Sequence, residues 1–224
     1  MEIHSHLLEI EIMGLLGGKY DSFRRILYIK DIYPCKSEGT DYYCEMNIES
    51  EIEAKNIFNT KDYDIVGWYH SHPIFEVNPS ITDIRNQYQH QKLFHLDSGE
   101  EPFIGMIISP YYDYQIKSTI KIFTVSEKWN KNNNYKLPYE HELIIEYSKQ
   151  ITQEFISIVD NLLLQNKNEK TLINFNKNYR SGRLTYTYYD KLCYSSQQYF
   201  KKIPDTQSKR LFTVIKKHLK INSF

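Results

Sequence analysis

Short apolar runs broken by glycines and polar turns fill the first part of the chain, and a helical periodicity fills the last. Ile3, Leu7 and Ile10 share one face at helical spacing and predict a short helix from Ile3 to Ile10. Glu11-Ile12-Met13-Gly14-Leu15-Leu16-Gly17-Gly18 reads as a buried strand ended by glycines. Arg24 to Tyr33 alternates in part and predicts a second strand, stopped by Pro34. Ser50 to Phe58, with Ile52 and Ile57 among charges, predicts a helix, and Tyr63 to Tyr69 a third apolar strand. A helix from Ser80 to about Phe94 follows, then Phe103 to Ser109, apolar enough to be covered on both faces. Gln115 to Val125 alternates and closes a sheet, and Asn130 to Asn134 is a polar loop.

Beyond Leu137-Pro138 the period changes. Leu143, Tyr147, Ile151, Phe155, Ile158 and Leu162 recur at three- and four-residue steps and predict one helix. Asn166 to Asn178 is polar and predicts a loose connection. Helices around Leu184 to Phe200 and Ser208 to Leu219 flank Pro204. The fold class is therefore α/β in the α+β sense: a sheet-and-helix domain over residues 1–140 and a helical extension over 141–224.

Composition narrows the function. Of 224 residues 41% are hydrophobic, enough for a real core. Lys+Arg and Asp+Glu balance at 28 each, so no net field steers the chain to nucleic acid or membrane. Lys201, Lys202, Lys209, Arg210, Lys216, Lys217 and Lys220 read as a solvated helix face, not a nucleic-acid surface. No apolar run is long enough to span a bilayer, and Met1-Glu2-Ile3-His4-Ser5-His6 lacks the regions of a secretory signal. Cys35, Cys44 and Cys193 are few and odd in number, which fits a reduced, intracellular setting, nucleus or cytoplasm. Cys35 and Cys44 read as small buried residues.

The chemistry concentrates in Gly67-Trp68-Tyr69-His70-Ser71-His72-Pro73 and the following Ser80-Ile81-Thr82-Asp83. Side chains two apart in a strand point the same way, so His70 and His72 can present both imidazoles to one point. Asp83, at the start of the next helix, can turn its carboxylate to the same point. Two imidazoles and a carboxylate are the ligand set of a catalytic zinc, which keeps a fourth position for water. Ser80-x-x-Asp83 also has the form of a helix capping box, and the two readings are compatible. Glu11 is the candidate proton carrier, or simply the last polar residue before an apolar strand. His4-Ser5-His6 repeats the His-x-His pattern but falls in a helix, where residues two apart diverge, and reads as exposed.

Taken together, these residues resemble the JAMM (MPN+) zinc metalloproteases, the metal-dependent class of deubiquitinases. The family pattern is a Glu before a Gly-Leu-Leu strand, then His-x-His-(x)7-Ser-x-x-Asp, and His70, His72, Ser80 and Asp83 meet it without a gap. Tyr33-Pro34-Cys35, Cys44-Glu45-Met46, Asn78-Pro79-Ser80, Phe103-Ile104-Gly105-Met106-Ile107 and Leu137-Pro138-Tyr139 resemble the catalytic domain of the histone deubiquitinases with Myb-like, SWIRM and MPN domains. The likeness covers roughly Leu7 to Glu142. Those relatives carry chromatin-reading domains before the protease, whereas this sequence starts almost directly with it, so a nucleosomal substrate is not simply carried over, and histone and polyubiquitin conjugates both stand as expected substrates.

The resemblance implies an MPN/JAMM fold, a curved mixed sheet flanked by helices in an α/β/α-like arrangement. It implies one Zn2+ on His70, His72 and Asp83, Glu11 as general acid/base, and Ser80 as a donor to the oxyanion of the tetrahedral intermediate. It implies hydrolysis of the isopeptide bond at the ubiquitin C-terminus, without a covalent intermediate. Ubiquitin and a ubiquitinated protein are the expected partners, with a second MPN-domain protein or chromatin as further ones. Segments at about Lys36 to Phe58 and Gln89 to Glu101 are expected to line the groove for the ubiquitin tail, which adds as a strand against an exposed edge. Phe75 and Trp68 are candidate contacts there, Trp68 also reading as core. The alternatives are a non-catalytic MPN scaffold and an amidohydrolase. Scaffolds lack ligands that are all present here, and an amidohydrolase needs a barrel of about 250 residues.

Overall fold

A computed structural model describes residues 1–40, 43–132, 134–180 and 185–221, with side chains described outside 37–46 and 180. The elements in chain order are α1 (Glu2–Ser5), β1 (Met13–Asp21), β2 (Ile26–Pro34), β3 (Ser37–Thr40), β4 (Tyr43–Met46), α2 (Ile48–Thr60), β5 (Asp64–Ser71) and α3 (Ile81–Leu93). They continue with β6 (Ile104–Ser109), β7 (Thr119–Trp129), β8 (Lys136–Glu140), α4 (Gln153–Asn166), β9 (Asn178–Arg180), β10 (Tyr186–Thr187), α5 (Tyr188–Gln197) and α6 (Asp205–His218). Six strands form one mixed sheet in the order β2-β1-β5-β6-β7-β8. Only β5 and β6 run parallel within it, joined through α3, and the other pairs are antiparallel. This mixed α/β sheet flanked by helices is the architecture the sequence leads one to expect.

The two faces of the sheet follow from strand alternation. Leu16, Tyr69, Met106 and Ile122 face one side, where they join Leu7 and Leu8 and the residues Val159, Leu163, Leu192, Leu211 and Ile215 of the C-terminal helices. Leu15, Trp68, Ile107 and Phe123 face the other, packed with Ala54 and Phe58 of α2 and Ile84 of α3. All six residues of β6 are buried because both faces are covered. A Cβ at Gly67 would lie 2.4 Å from the Ile104 carbonyl oxygen, so only glycine lets β5 approach β6 this closely next to the histidines. The register of β1 shifts at Gly17 and Gly18, and such a bulge adds twist to a strand.

Several elements depart from the sequence reading. The first helix is only Glu2–Ser5, and β1 starts at Met13, two residues after Glu11. The last long strand is Thr119–Trp129, so Gln115 to Ser118 precede it, and β8 pairs beside it although its alternation is too short to stand out. The helix predicted from Leu143 begins only at Gln153, where Thr152 caps it by accepting from the Phe155 N–H. Before it, the His141 N–H still bonds the Ile122 carbonyl of β7, and Ile144 is 80% exposed. Residues 167–177 are docked, not loose: the Ile173 N–H bonds Leu7 O at 2.9 Å, the Glu9 N–H bonds Thr171 O at 2.9 Å, and Ile173 and Phe175 are buried. Leu184 lies outside the described residues, and the helix predicted from it is Tyr188–Gln197. Cys35 is buried and Cys193 half-buried, while the Cys44 side chain lies outside the described ones. In the lysine-rich tail, Lys201, Lys202, Lys209, Arg210, Lys217 and Lys220 are exposed and Lys216 is half-buried. No described helix is long and apolar enough to cross a membrane.

The His4-Ser5-His6 pair is the clearest correction. Its residues are 3%, 1% and 0% exposed, because α5 covers α1. His4 Nδ1 pairs with the Tyr69 hydroxyl at 2.9 Å, and His6 Nδ1–H donates to Glu2 O at 2.7 Å. Lys191 Nζ reaches His6 Nε2 at 3.3 Å. Burial lowers His4 to about 3, helped by the nearby N-terminal amine. Burial lowers His6 to about 4, with Glu2 opposing and Lys191 assisting. Both are therefore neutral in the folded chain and titrate near ~6.5 once unfolded. Protons then favour the unfolded state between about pH 6.5 and about pH 4, so stability present above that window is lost as pH falls through it. The loss is at most roughly 3 kcal/mol per histidine at about pH 4. Urea midpoints measured from about pH 7 to about pH 4.5 should fall, and His6→Gln should flatten the curve. A level wild-type midpoint would contradict the neutral buried pair.

Candidate metal centre

β5 carries His70 at its end, paired to Met13 of β1 and Ile107 of β6. The extended backbone continues past the strand: the His72 N–H bonds Ile108 O at 3.0 Å, and the Ser71 N–H bonds Ile12 O at 2.9 Å. Ser71 turns to the opposite side, where its hydroxyl accepts from the Ile12 N–H at 3.0 Å. His70 and His72 thus share a face, and their Nε2 atoms lie 2.9 Å apart.

Asp83 comes from the first turn of α3. Ser80 is the N-cap, its Oγ accepting from the Asp83 N–H at 3.1 Å, while Asp83 Oδ2 accepts from the Ser80 N–H at 2.7 Å. The same carboxylate places Oδ1 at 3.6 Å from His70 Nε2 and Oδ2 at 3.6 Å from His72 Nε2. The capping box and the approach to the histidines coexist, and the cap fixes the side chain that makes the approach.

Charge distribution follows from this packing. Burial pushes the Asp83 carboxyl up, but His72, His70 and the Ser80 hydrogen bonds outweigh it and leave it at about 2. Burial pulls His70 down to about 4 against the attraction of Asp83. Burial also pulls His72 down, yet Asp83, the Glu76 carbonyl and Glu11 outweigh it, and its net shift is upward. Burial raises the Glu11 carboxyl, with His72 opposing and Asp83 adding to the rise.

These residues fit a zinc ion. One donor atom from each of His70, His72 and Asp83 falls within 4.8 Å of the others. Two imidazole nitrogens and a carboxylate oxygen are a zinc donor set. His72 Nδ1 faces the Glu76 carbonyl at 2.6 Å, and a carbonyl only accepts, so Nδ1 carries the proton and Nε2 keeps its lone pair for a metal. Among the described residues His70 Nδ1 is buried without a hydrogen-bond partner, and that ring stacks on Trp68, with centroids 4.9 Å apart and planes 14° apart.

The cluster opens onto a cavity of about 900 Å³. Glu11 and Ser80 line it with His70, His72 and Asp83, so all five sequence-predicted residues meet there. Glu51 of α2 and His90 and Phe94 at the end of α3 contribute walls, within the two segments expected to shape a groove. Phe75 lines it while 59% exposed. Trp68 is buried and lines it as well, and its Nε1–H donates to Gln87 Oε1 at 2.7 Å. Gln87 continues to Phe103 O and to Gln91, which bonds both the N–H and the carbonyl of Val125. This buried amide ladder holds α3 and Trp68 behind the histidines. Sequence reasoning missed it, although glutamines four apart on the inward face of α3 are its signal.

Residues 2–94 match the family described as JAB1/Mov34/MPN/PAD-1 ubiquitin protease. The chain carries a domain of this family. The MPN domain is 37% identical over 149 residues to the histone deubiquitinase MYSM1 of Xenopus laevis, across 66% of this chain and 18% of that protein. An MPN domain-containing protein of Danio rerio is 32% identical over 161 residues, 70% of this chain and 35% of that one. The chain therefore spans under a fifth of the length of the MYSM1 relative. A solution structure of a Desulfitobacterium hafniense protein aligns with a TM-score of 0.48 and 20% identity, over 65% of this chain and 86% of that one.

Proposed function

We propose that this MPN domain is a zinc-dependent deubiquitinase that hydrolyses isopeptide bonds at the ubiquitin C-terminus. The observation that carries the reading is the convergence of His70, His72 and Asp83 in one cavity with Glu11. His70, His72 and Asp83 would hold the ion, which when bound supplies Lewis acidity and an acidified water.

The remaining chemistry belongs to the chain. Glu11, its carboxyl raised by burial, takes a proton from the attacking water and passes it to the departing lysine amine. The amine leaves neutral and the carboxylate is regenerated. Ser80, exposed at the cavity, donates its hydroxyl to the developing oxyanion. Trp68 and the Gln87–Gln91 ladder hold the His70 ring in place. The apolar wall of Met13, Leu15, Ile65 and Phe103 suits an extended peptide such as the ubiquitin tail. The presence of all five site residues supports catalysis over a scaffold role. The similarity to the histone deubiquitinase MYSM1 brings ubiquitinated histone into the substrate range beside polyubiquitin.

Metal analysis paired with cleavage of linked di-ubiquitins and ubiquitinated nucleosomes tests the reading. About one zinc per chain is expected, with cleavage stopped by a chelator and restored by added zinc. A chain that takes up no zinc sinks the proposal, and a zinc-loaded chain that leaves every substrate intact favours the scaffold.

A further inference from the structure

The loop between His72 and Ser80 is exposed at Ile74, Phe75, Glu76 and Asn78, so little apolar packing fixes it. It nevertheless carries the carbonyl that receives the His72 Nδ1–H, at Glu76. A set of polar contacts ties it to the end of β6, the turn after it and β7. The Tyr111 N–H bonds Pro73 O at 2.9 Å, and the Ser109 hydroxyl donates to Phe75 O. The Tyr112 hydroxyl donates to Glu76 Oε1 at 2.7 Å. Asn78 Nδ2 donates to Glu76 Oε2 at 2.6 Å, and Lys121 Nζ donates to Asn78 Oδ1 at 2.7 Å. Both oxygens of one exposed carboxylate are therefore clamped, on the same residue whose carbonyl orients His72.

The turn that presents Tyr112 is itself unusual. Asp113 has φ 51 and ψ 32, and Tyr114 has φ 50, two successive side-chain-bearing residues in the left-handed region. Backbone in such conformations concentrates where the surroundings dictate a placement. Here it holds the Tyr112 hydroxyl over the loop.

Resting on the zinc reading above, we infer that Tyr112 and Glu76 form a clasp that positions His72 for the metal. Tyr112 locks the Glu76 residue through its carboxylate, and Glu76 locks the imidazole through its carbonyl. Both are positioning residues, and neither is a ligand. Outer contacts of this kind tune metal affinity about 10–100-fold.

Zinc affinity by competition with a chromophoric chelator tests the clasp on the full chain. Tyr112→Phe and Glu76→Ala should each weaken zinc binding about tenfold. The double variant should be no weaker than Glu76→Ala, because both remove the same link. Glu76→Gln still accepts from Tyr112 and should stay within about threefold of wild type. For Tyr112→Phe, kcat should fall at limiting zinc and recover with excess zinc, with KM unchanged. Melting of the metal-free protein should not move, since Glu76 is exposed and Tyr112→Phe removes a single hydroxyl from a half-buried ring. Affinities within about twofold for both Tyr112→Phe and Glu76→Ala overturn the clasp. So does a raised KM with zinc affinity intact, which makes Tyr112 a substrate contact, and so does a zinc loss matched by a lower melting temperature. A wild-type chain without zinc affinity instead overturns the reading of the site itself.

Discussion

Glu11→Gln should keep the metal and lose about 10²–10⁴-fold in kcat. Glutamine has the shape of glutamate and still hydrogen-bonds, but it cannot take a proton. Glu11 lines the cavity with the cluster but is not among the three grouped donors, so zinc content should stay at the wild-type value. Its burial raises the carboxyl toward the range where a base both accepts and returns a proton. Zinc stoichiometry and single-turnover cleavage measured on the same preparation check this. A variant within about tenfold of wild type would reduce Glu11 to a polar residue at the start of an apolar strand.

His72→Ala should lose zinc and cleavage together, with metal affinity down by more than about a hundredfold. The substitution removes one of three donors and leaves the Glu76 carbonyl without the Nδ1–H it receives. Asp83→Asn separates the two duties of that residue. The amide oxygen can still accept from the Ser80 N–H, so the start of α3 should persist, while the anionic donor is gone. Metal-free melting close to wild type with impaired zinc binding is the expected pair of results. Unchanged zinc binding in both variants would remove the cluster from consideration as a metal centre.

The site was legible in the sequence to the extent that its parts are near one another along the chain. His70, His72, Ser80 and Asp83 come from one strand end, one loop and one helix start, so period-two alternation and a capping pattern suffice to bring them together. Glu11 is remote in sequence, yet β1 pairs with β5 and sets Met13 opposite His70, which carries Glu11 to the same cavity. The Trp68–Gln87–Gln91 ladder was less visible, because a buried glutamine looks like a surface one until its partners are known. The Glu76–Tyr112 contact joins residues from two loops, and no local pattern announces it.

The same division runs through the fold. Alternation along Leu15-Leu16, Trp68-Tyr69, Met106-Ile107 and Ile122-Phe123 determined which side chains face each layer, because a strand alternates whatever surrounds it. Periodicity alone failed for residues 143–151, which precede the Thr152 cap of α4 and form no helix. It failed for His4 and His6 for a related reason. Their burial comes from α5 and Lys191, far along the chain, and local sequence carries no record of what will cover it. The sequence by itself determined the central strands β1, β2, β5, β6 and β7, the capped helix and the donor types. Only the tertiary structure decided which polar groups lose water, and hence which histidines converge with a carboxylate at a cavity and which form a neutral core pair. Desolvation depends on neighbours brought together by folding, not on neighbours in the chain.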